Sequence, residues 1–147
     1  MNKKNWMSIG TIAAIAAFGA SVVLMTPERQ PQPATSPVDA AAPLVDVAVP
    51  ESLSARAQMG KRAFEAKCAE CHGANAAGQK GVAPPLIHKI YEPSHHGDAA
   101  FLLAAQNGVR SHHWPFGNMP PVEGITPASV KDIVAYVREL QRNNGIK

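Results

Sequence analysis

The chain has few of the features that stabilise small disulfide-rich proteins or bind nucleic acid. Its 147 residues include only two cysteines, so at most one disulfide can form and a disulfide-stapled scaffold is excluded. Aromatic residues make up 5% of the chain, and six of them lie beyond residue 50. The net charge is only +3 with no basic tract, which argues against nucleic-acid binding. Something other than aromatic side chains is therefore expected to fill the interior.

Charged residues are also absent from an apolar stretch near the N-terminus. Residues 1–5 carry two lysines, and residues 6–26 are uncharged and rich in Ala, Ile and Val. A membrane-spanning helix needs about 20 apolar residues, whereas the apolar part of a signal peptide has about 7–15. The stretch therefore predicts a transmembrane anchor, with residues 1–5 in the cytoplasm and the rest exported. A cleaved signal peptide is the alternative, since Ala17 and Gly19 supply small residues at its cleavage site.

A proline-rich segment separates this stretch from the rest of the chain. Residues 27–50 contain six prolines, spaced mainly by Ala, Ser, Thr and Gln. Such a composition cannot bury enough apolar surface to form a core, and it favours extended polyproline geometry. The sequence therefore predicts a semi-stiff linker over residues 27–50 and one globular domain over residues 51–147.

The domain begins with a predicted helix that carries a glycine on its apolar face. Ala57, Gly60 and Phe64 recur at helical spacing, and Ser52 or Ser54 can cap the start. Glycine inside a helix costs about 1 kcal/mol relative to alanine. We therefore expect another backbone to pass close to Gly60.

Two further helices are predicted downstream. One has Asp98 as its N-cap and ends at Gly108, and the other is capped by Thr126 with Pro127 in its first turn. The apolar stripe of the last helix is Val130, Ile133, Val134, Val137 and Leu140. The segments between the helices are long, rich in Gly, Pro and His, and free of strand alternation. The expected fold class is therefore all-α, with loops that need internal support.

The motif Cys68-Ala69-Glu70-Cys71-His72 follows directly on the first predicted helix. Cys-x-x-Cys-His is the pattern of covalent haem attachment, because two thiols on one helical turn can reach both vinyl groups of a porphyrin. A zinc site would need four ligands, and no second cysteine pair exists. A thioredoxin-like dithiol would lie in a βαβ unit. We therefore expect one haem c, with thioethers at Cys68 and Cys71 and with His72 as an axial ligand of the iron.

With this motif the chain resembles the class I, monohaem c-type cytochromes of the membrane-anchored bacterial type, over about residues 51–145. Gly60-Lys-Arg-Ala-Phe64 and Tyr136 match the family's contact between its first and last helices. Ala83-Pro84-Pro85-Leu86 matches the segment after the haem motif. The resemblance implies a small fold of three to four helices around one covalent haem, with the Pro84 carbonyl orienting His72.

The resemblance also implies a methionine as the second axial ligand, in a loop before the last helix. Met119 lies in the matching segment, between Gly117 and Pro120, which shape a loop rather than a packed helix. A gap-filling core role is the alternative for Met119. Histidine ligation is a further alternative, because five histidines lie in loops: His88, His95, His96, His112 and His113. The two adjacent pairs among them form either exposed polar loops or a transition-metal site.

The expected function is electron transfer, since iron with two protein ligands has no open position for oxygen or peroxide. The resemblance implies a quinol–cytochrome c reductase or another dehydrogenase as electron donor and a terminal oxidase as acceptor. The anchor would hold the haem domain on the periplasmic side of the inner membrane. The alternatives are a cytochrome c subunit of a larger oxidoreductase complex, or a haem protein that handles metals or ligands through its His-rich loops.

Overall fold

The computed structural model describes residues 42–147, which form an α-helical domain without regular strands. Two isolated bridges, Gln79–Ala83 and Val109–Met119, are the only strand-like pairings in this range. The α-helices are α1 (Ala55–Lys67), α2 (Ala69–His72), α3 (Asp98–Asn107) and α4 (Pro127–Asn143), with 3-10 turns at Ala74–Ala76 and Lys89–Tyr91. The all-α fold class with long loops is therefore confirmed.

The predicted anchor at residues 6–26 lies outside the described residues, as does the linker up to residue 41. Between residues 42 and 147, no helix combines the length and the apolar character that a membrane crossing requires.

Helices α1 and α4 cross at close range and form the centre of the core. Gly60 is buried, and the main chain of Asp132 in α4 occupies the space where a side chain at position 60 would lie. Next to this crossing, the rings of Phe64 and Tyr136 lie 5.8 Å apart. The close approach expected at Gly60 is therefore present. The buried core around it consists of Ala57, Phe64, Ala76, Ile87, Ile133, Tyr136, Val137 and Leu140.

The helix ends follow the local signals of the sequence with one exception. Ser54 caps α1 by accepting a hydrogen bond from the amide of Ala57 at 3.2 Å. Thr126 caps α4 in the same way, and Gly108 ends α3 with a φ of 74°. Asp98 is not the N-cap of α3, because Gly97 holds that position and Asp98 is the first helical residue.

Part of the proline-rich segment packs on the domain. The amides of Leu44 and Val45 donate to the carbonyl of Ala77 at 3.1 and 3.2 Å, and that of Lys80 donates to Ala42 at 3.1 Å. Val45 and Val47 also pack against the core. The folded part of the chain therefore begins before residue 51, because apolar side chains between the prolines reach the domain surface.

Candidate functional site

The two cysteines and His72 lie at the junction of α1 and α2. Cys68 ends α1, its amide donating to the carbonyl of Phe64 at 2.8 Å. Its own carbonyl accepts from the amides of Cys71 and His72, at 3.2 and 2.9 Å. Both cysteines are free thiols, with Cys71 exposed and Cys68 partly buried. The motif thus presents both sulfur atoms from one helical turn.

The electrostatics of Cys68 are unsuited to a redox-active dithiol. Burial, followed by the proximity of Cys71, raises the pKa of the Cys68 thiol to about 11. Reactive Cys-x-x-Cys pairs instead have a thiol with a lowered pKa. In the described residues, the group of side chains spaced for a metal ion contains neither cysteine. The dithiol interpretation therefore lacks the lowered thiol pKa that it requires, and the zinc interpretation lacks a group of ligands around the cysteines in the described residues.

The imidazole of His72 is buried and fixed in one tautomer. It is 9% exposed, and its Nδ1 lies 2.9 Å from the carbonyl oxygen of Pro84. Because a carbonyl only accepts, Nδ1 carries the proton and the lone pair of Nε2 is available to a metal. Burial lowers the pKa of His72, which the hydrogen bond to Pro84 opposes. The ring is therefore a neutral imidazole of the form that ligates iron.

The segment between His72 and Pro84 folds back so that the two residues meet. The amide of Gly78 donates to the carbonyl of His72 at 2.7 Å. Gly78 has a φ of 74°, and a Cβ there would stand 2.5 Å from the backbone nitrogen of Pro85. Only glycine fits this position, because both the backbone angle and the contact exclude a side chain.

Gln79 supports the motif in a way that sequence analysis missed. Its Nε2 donates to the carbonyls of Ala69 and Glu70, at 3.1 and 2.7 Å. These carbonyls belong to α2, and that of Ala69 also accepts from the amide of Gly73 at 2.9 Å. A single amide seven residues beyond the motif carries no periodic signal, so nothing in the sequence pointed to this role.

Met119 lies in the loop between α3 and α4 and is half-buried. Its backbone pairs with Val109 through two hydrogen bonds of 2.9 Å, which close the intervening loop. Gly108 allows this pairing, since a Cβ at that position would lie 2.5 Å from the carbonyl oxygen of Met119. The thioether is thus presented by a segment separate from the one that carries His72.

Trp114, in the same loop, has a buried polar group without a partner. Its ring stacks on Phe116 with centroids 5.9 Å apart and meets the edge of His88 at 5.1 Å. Its Nε1 is buried and makes no hydrogen bond of good geometry within residues 42–147. Burial raises the pKa of the neighbouring Tyr91, and the polar contact of Tyr91 with the Trp114 indole acts in the opposite direction. A buried N–H of this kind calls for an acceptor, such as the carboxylate of a bound cofactor.

These side chains fit a haem. Two unlinked thiols on one turn match two vinyl groups, the free Nε2 of His72 and the thioether of Met119 are atoms that can ligate iron, and the Trp114 N–H can meet a propionate. The residues named by the sequence analysis therefore supply the donor atoms that a c-type haem needs.

The histidines of the two adjacent pairs lie next to one another. The ligand atoms of His95, His96 and His113 all lie within 4.8 Å of each other. The ring of His112 lies 4.2 Å from that of His113. The two loops are therefore not independent polar segments.

Comparison with known proteins supports the assignment made from the geometry. The family model for cytochrome c matches residues 57–141, more than half of the chain. A curated relative, the "Cbb3-type cytochrome c oxidase subunit CcoP" of Rubrivivax gelatinosus, is 37% identical over 84 residues. The match covers 56% of this chain and 25% of that protein, so the chain spans about a quarter of its relative's length. No solved structure matches the chain significantly. The chain belongs to the cytochrome c family: its cofactor is covalently bound haem c, and its function is electron transfer.

Proposed function

We propose that Cys68 and Cys71 hold the haem as thioethers and that His72 and Met119 are the axial ligands of its iron. The observation that carries this proposal is the 2.9 Å contact between Nδ1 of His72 and the carbonyl of Pro84. The contact fixes the ring and leaves Nε2 as the ligand atom, as partners of metal-bound histidines do.

The haem, when bound, supplies a one-electron change between ferric and ferrous iron. The chain's own residues set the conditions for that change. Pro84 holds His72 in one tautomer, and the Val109–Met119 pairing holds the methionine loop closed. Thioether ligation favours the reduced state and raises the reduction potential. Because both axial positions are then taken by the protein, the chain is a carrier rather than an enzyme.

We further propose that the domain works on the periplasmic side of the inner membrane, held there by the apolar segment at residues 6–26. A tethered carrier meets its partners at a high effective concentration without binding them tightly. The donor is a quinol–cytochrome c reductase or another dehydrogenase, and the acceptor is a terminal oxidase. Similarity to a protein described as an oxidase subunit supports the oxidase as partner.

A second candidate is a cytochrome subunit fixed within a larger oxidoreductase complex. The same relative favours it, since that protein is described as a subunit rather than as a free carrier. Extraction in a mild detergent separates the two candidates. A fixed subunit co-purifies with other polypeptides in a constant ratio, whereas a carrier is recovered alone.

The ligand assignment is tested by Met119→Ala, with Met59→Ala as the matched control because Met59 is 47% exposed on α1. We expect Met119→Ala to abolish the far-red sulfur–iron band of the ferric protein. We also expect it to lower the potential by on the order of 100 mV, within the roughly 0.8 V that axial ligands span. Met59→Ala should change neither. A far-red band that survives in Met119→Ala would show that Met119 is not the ligand.

A further inference from the structure

Three histidines from two separate loops converge outside the haem-attachment motif. His95 and His96 lie just before α3, and His113 lies in the loop closed by the Val109–Met119 pairing. The ligand atoms of the three rings all lie within 4.8 Å of one another. Their ring centroids are 4.8, 5.4 and 5.3 Å apart for the pairs 95–96, 95–113 and 96–113. His113 thus shares one site with His95 and His96, although it lies 17 or more positions away from them in the sequence.

The surroundings of His96 hold its imidazole ready to bind a metal. Its Nδ1 lies 2.6 Å from the carbonyl oxygen of Ile90, so Nδ1 carries the proton and Nε2 has a free lone pair. Its amide donates to the carbonyl of Glu92 at 2.8 Å. Its carbonyl accepts from Nη2 of the buried Arg138 at 2.5 Å, and Nε of Arg138 is in turn bound to Asp98 at 2.9 Å. Both the backbone and the tautomer of His96 are therefore fixed.

The loop that carries His113 is also held by its own hydrogen bonds. The amide of Ser111 donates to Oδ1 of Asn118 at 2.9 Å, and its hydroxyl donates to the carbonyl of Trp114 at 2.5 Å. His112 lies next to His113, with its Nδ1 donating to the carbonyl of Arg110 at 2.8 Å, but its ring nitrogens do not belong to the group of ligand atoms that lie within 4.8 Å of one another. The loop therefore presents His113, and not His112, to the two histidines before α3.

We propose that His95, His96 and His113 form a second metal site, which binds a divalent transition-metal ion such as Cu²⁺ or Zn²⁺ in addition to the haem iron. Neutral imidazoles are the common protein ligands of both ions. His95 and His113 are exposed and His96 is half-buried, so an ion can enter and water can complete its coordination. Three protein ligands and an open position is a familiar arrangement for zinc.

The spacing of the nitrogen atoms is compatible with this site. Nitrogens bound to one tetrahedral ion at about 2.0–2.1 Å lie about 3.3–3.4 Å apart. The metal-free spacing of up to 4.8 Å closes to this value by side-chain rotation of His95 and His113, whose rings are exposed. His96, with its fixed ring, provides the reference position around which the other two close.

The test uses the haem-loaded full chain, treated with a chelator and then titrated with Cu²⁺ or Zn²⁺ alone. We expect one added ion per haem, measured by elemental analysis after removal of free metal. Competition with a chromophoric chelator should give tighter binding for Cu²⁺ than for Zn²⁺, following the usual affinity order of divalent ions. Electron paramagnetic resonance of the Cu²⁺ form should show coupling to imidazole nitrogens.

Two variants and one control identify the ligands. Loss of a residue that only supports a metal ligand weakens metal binding about 10–100-fold. His95→Gln and His113→Gln each remove a ligand itself, so each should weaken binding by at least this much. His88→Asn is the matched control: it removes an imidazole from the same region, while the Asn side chain retains an acceptor for the amide of Ile90. It should bind the ion as the unaltered protein does. An unchanged haem spectrum in all three variants shows that the fold is retained.

Two results would overturn the proposal. The first is that the unaltered protein takes up no more Cu²⁺ or Zn²⁺ than a double variant that carries His95→Gln and His113→Gln. The second is an equal loss of affinity in His88→Asn, since binding would then not depend on the three converging rings. The haem spectrum and potential are read separately, so failure of this site leaves the electron-transfer proposal standing.

Discussion

Gly60 and Asp132 are in backbone contact where α1 crosses α4. A Cβ at position 60 would stand 1.9 Å from the carbonyl oxygen of Asp132 and 2.4 Å from its carbonyl carbon. Neither atom can move without shifting a helix. The two helices that hold the core together therefore approach each other as closely as they do only because position 60 lacks a side chain.

Gly60→Ala should destabilise the protein by about 1–3 kcal/mol, the usual cost of overpacking, in spite of the better helix propensity of alanine. Denaturant unfolding of the haem-loaded protein measures this change. Arg62→Ala is the control, because Arg62 is an exposed residue of the same helix and should change stability by less than about 0.5 kcal/mol. A Gly60→Ala protein as stable as the parent would contradict the close helix crossing.

Ser54→Ala should cost about 0.5–2 kcal/mol, because it removes the cap of α1. The Ser54 hydroxyl accepts from the amide of Ala57 and also donates to Glu139 at 2.5 Å, so it ties the start of α1 to α4. Ser52→Ala is the matched control, since Ser52 is exposed and precedes the cap by two residues. Thermal unfolding followed by circular dichroism distinguishes the two. Equal effects would show that the cap is not at Ser54.

Gln79→Ala should loosen the turn that carries the two cysteines. It removes two hydrogen bonds to the carbonyls of Ala69 and Glu70, each with a net value of about 0.5–1.5 kcal/mol. We expect faster hydrogen exchange at the amides of α2 and a loss of stability of about 1–3 kcal/mol. The neighbouring Lys80→Ala, which changes an exposed side chain, is the control. Unchanged exchange in α2 would contradict a supporting role for Gln79.

In the folded protein, neither of the two tyrosines should ionise at the usual tyrosine pKa. We therefore expect their ionisation at alkaline pH to accompany unfolding. Burial, followed by the nearby Glu65, raises the pKa of Tyr136 to about 12, and burial raises that of Tyr91. A raised pKa in the folded state contributes stability below the unfolded value of about 10, and this contribution is lost as the pH rises towards 12. Ultraviolet titration of tyrosinate, compared with helical circular dichroism, measures both events.

Both tyrosines should titrate near pH 10 in denaturant, which provides the control for the folded protein. Tyr136→Phe should shift alkaline unfolding to higher pH, while removing the hydrogen bond from Tyr136 to Asn75. A tyrosine that ionises near pH 10 with the helices intact would be inconsistent with these environments.

Local signals in the sequence predicted the helices well, because caps and glycines act over a few residues. Thr126 with Pro127 gave the start of α4 correctly. The start of α3 was placed one residue late, with Asp98 as its N-cap. Its carboxylate is instead bound to Arg138, 40 residues away, while Gly97 precedes the helix. An ion pair between residues so far apart in the sequence cannot be recognised from the neighbouring residues.

The motif was found in the sequence because its spacing is fixed, and the family resemblance pointed to Pro84, which the structure brings into contact with His72. The convergence of His95 and His96 with His113 depends on how two loops lie against each other, so the sequence could offer it only as one of two alternatives. The proline content of residues 27–50 likewise predicted a linker throughout, although Val45 and Val47 contact the core.

The packing of residues 42–50 determines how mechanical tension would enter the domain. Hydrogen bonds link Ala42, Leu44 and Val45 to Lys80 and Ala77, which lie on the strip of chain that joins His72 to Pro84. A force applied at residue 42 would therefore act on the segment between His72 and Pro84 before it acted on α1.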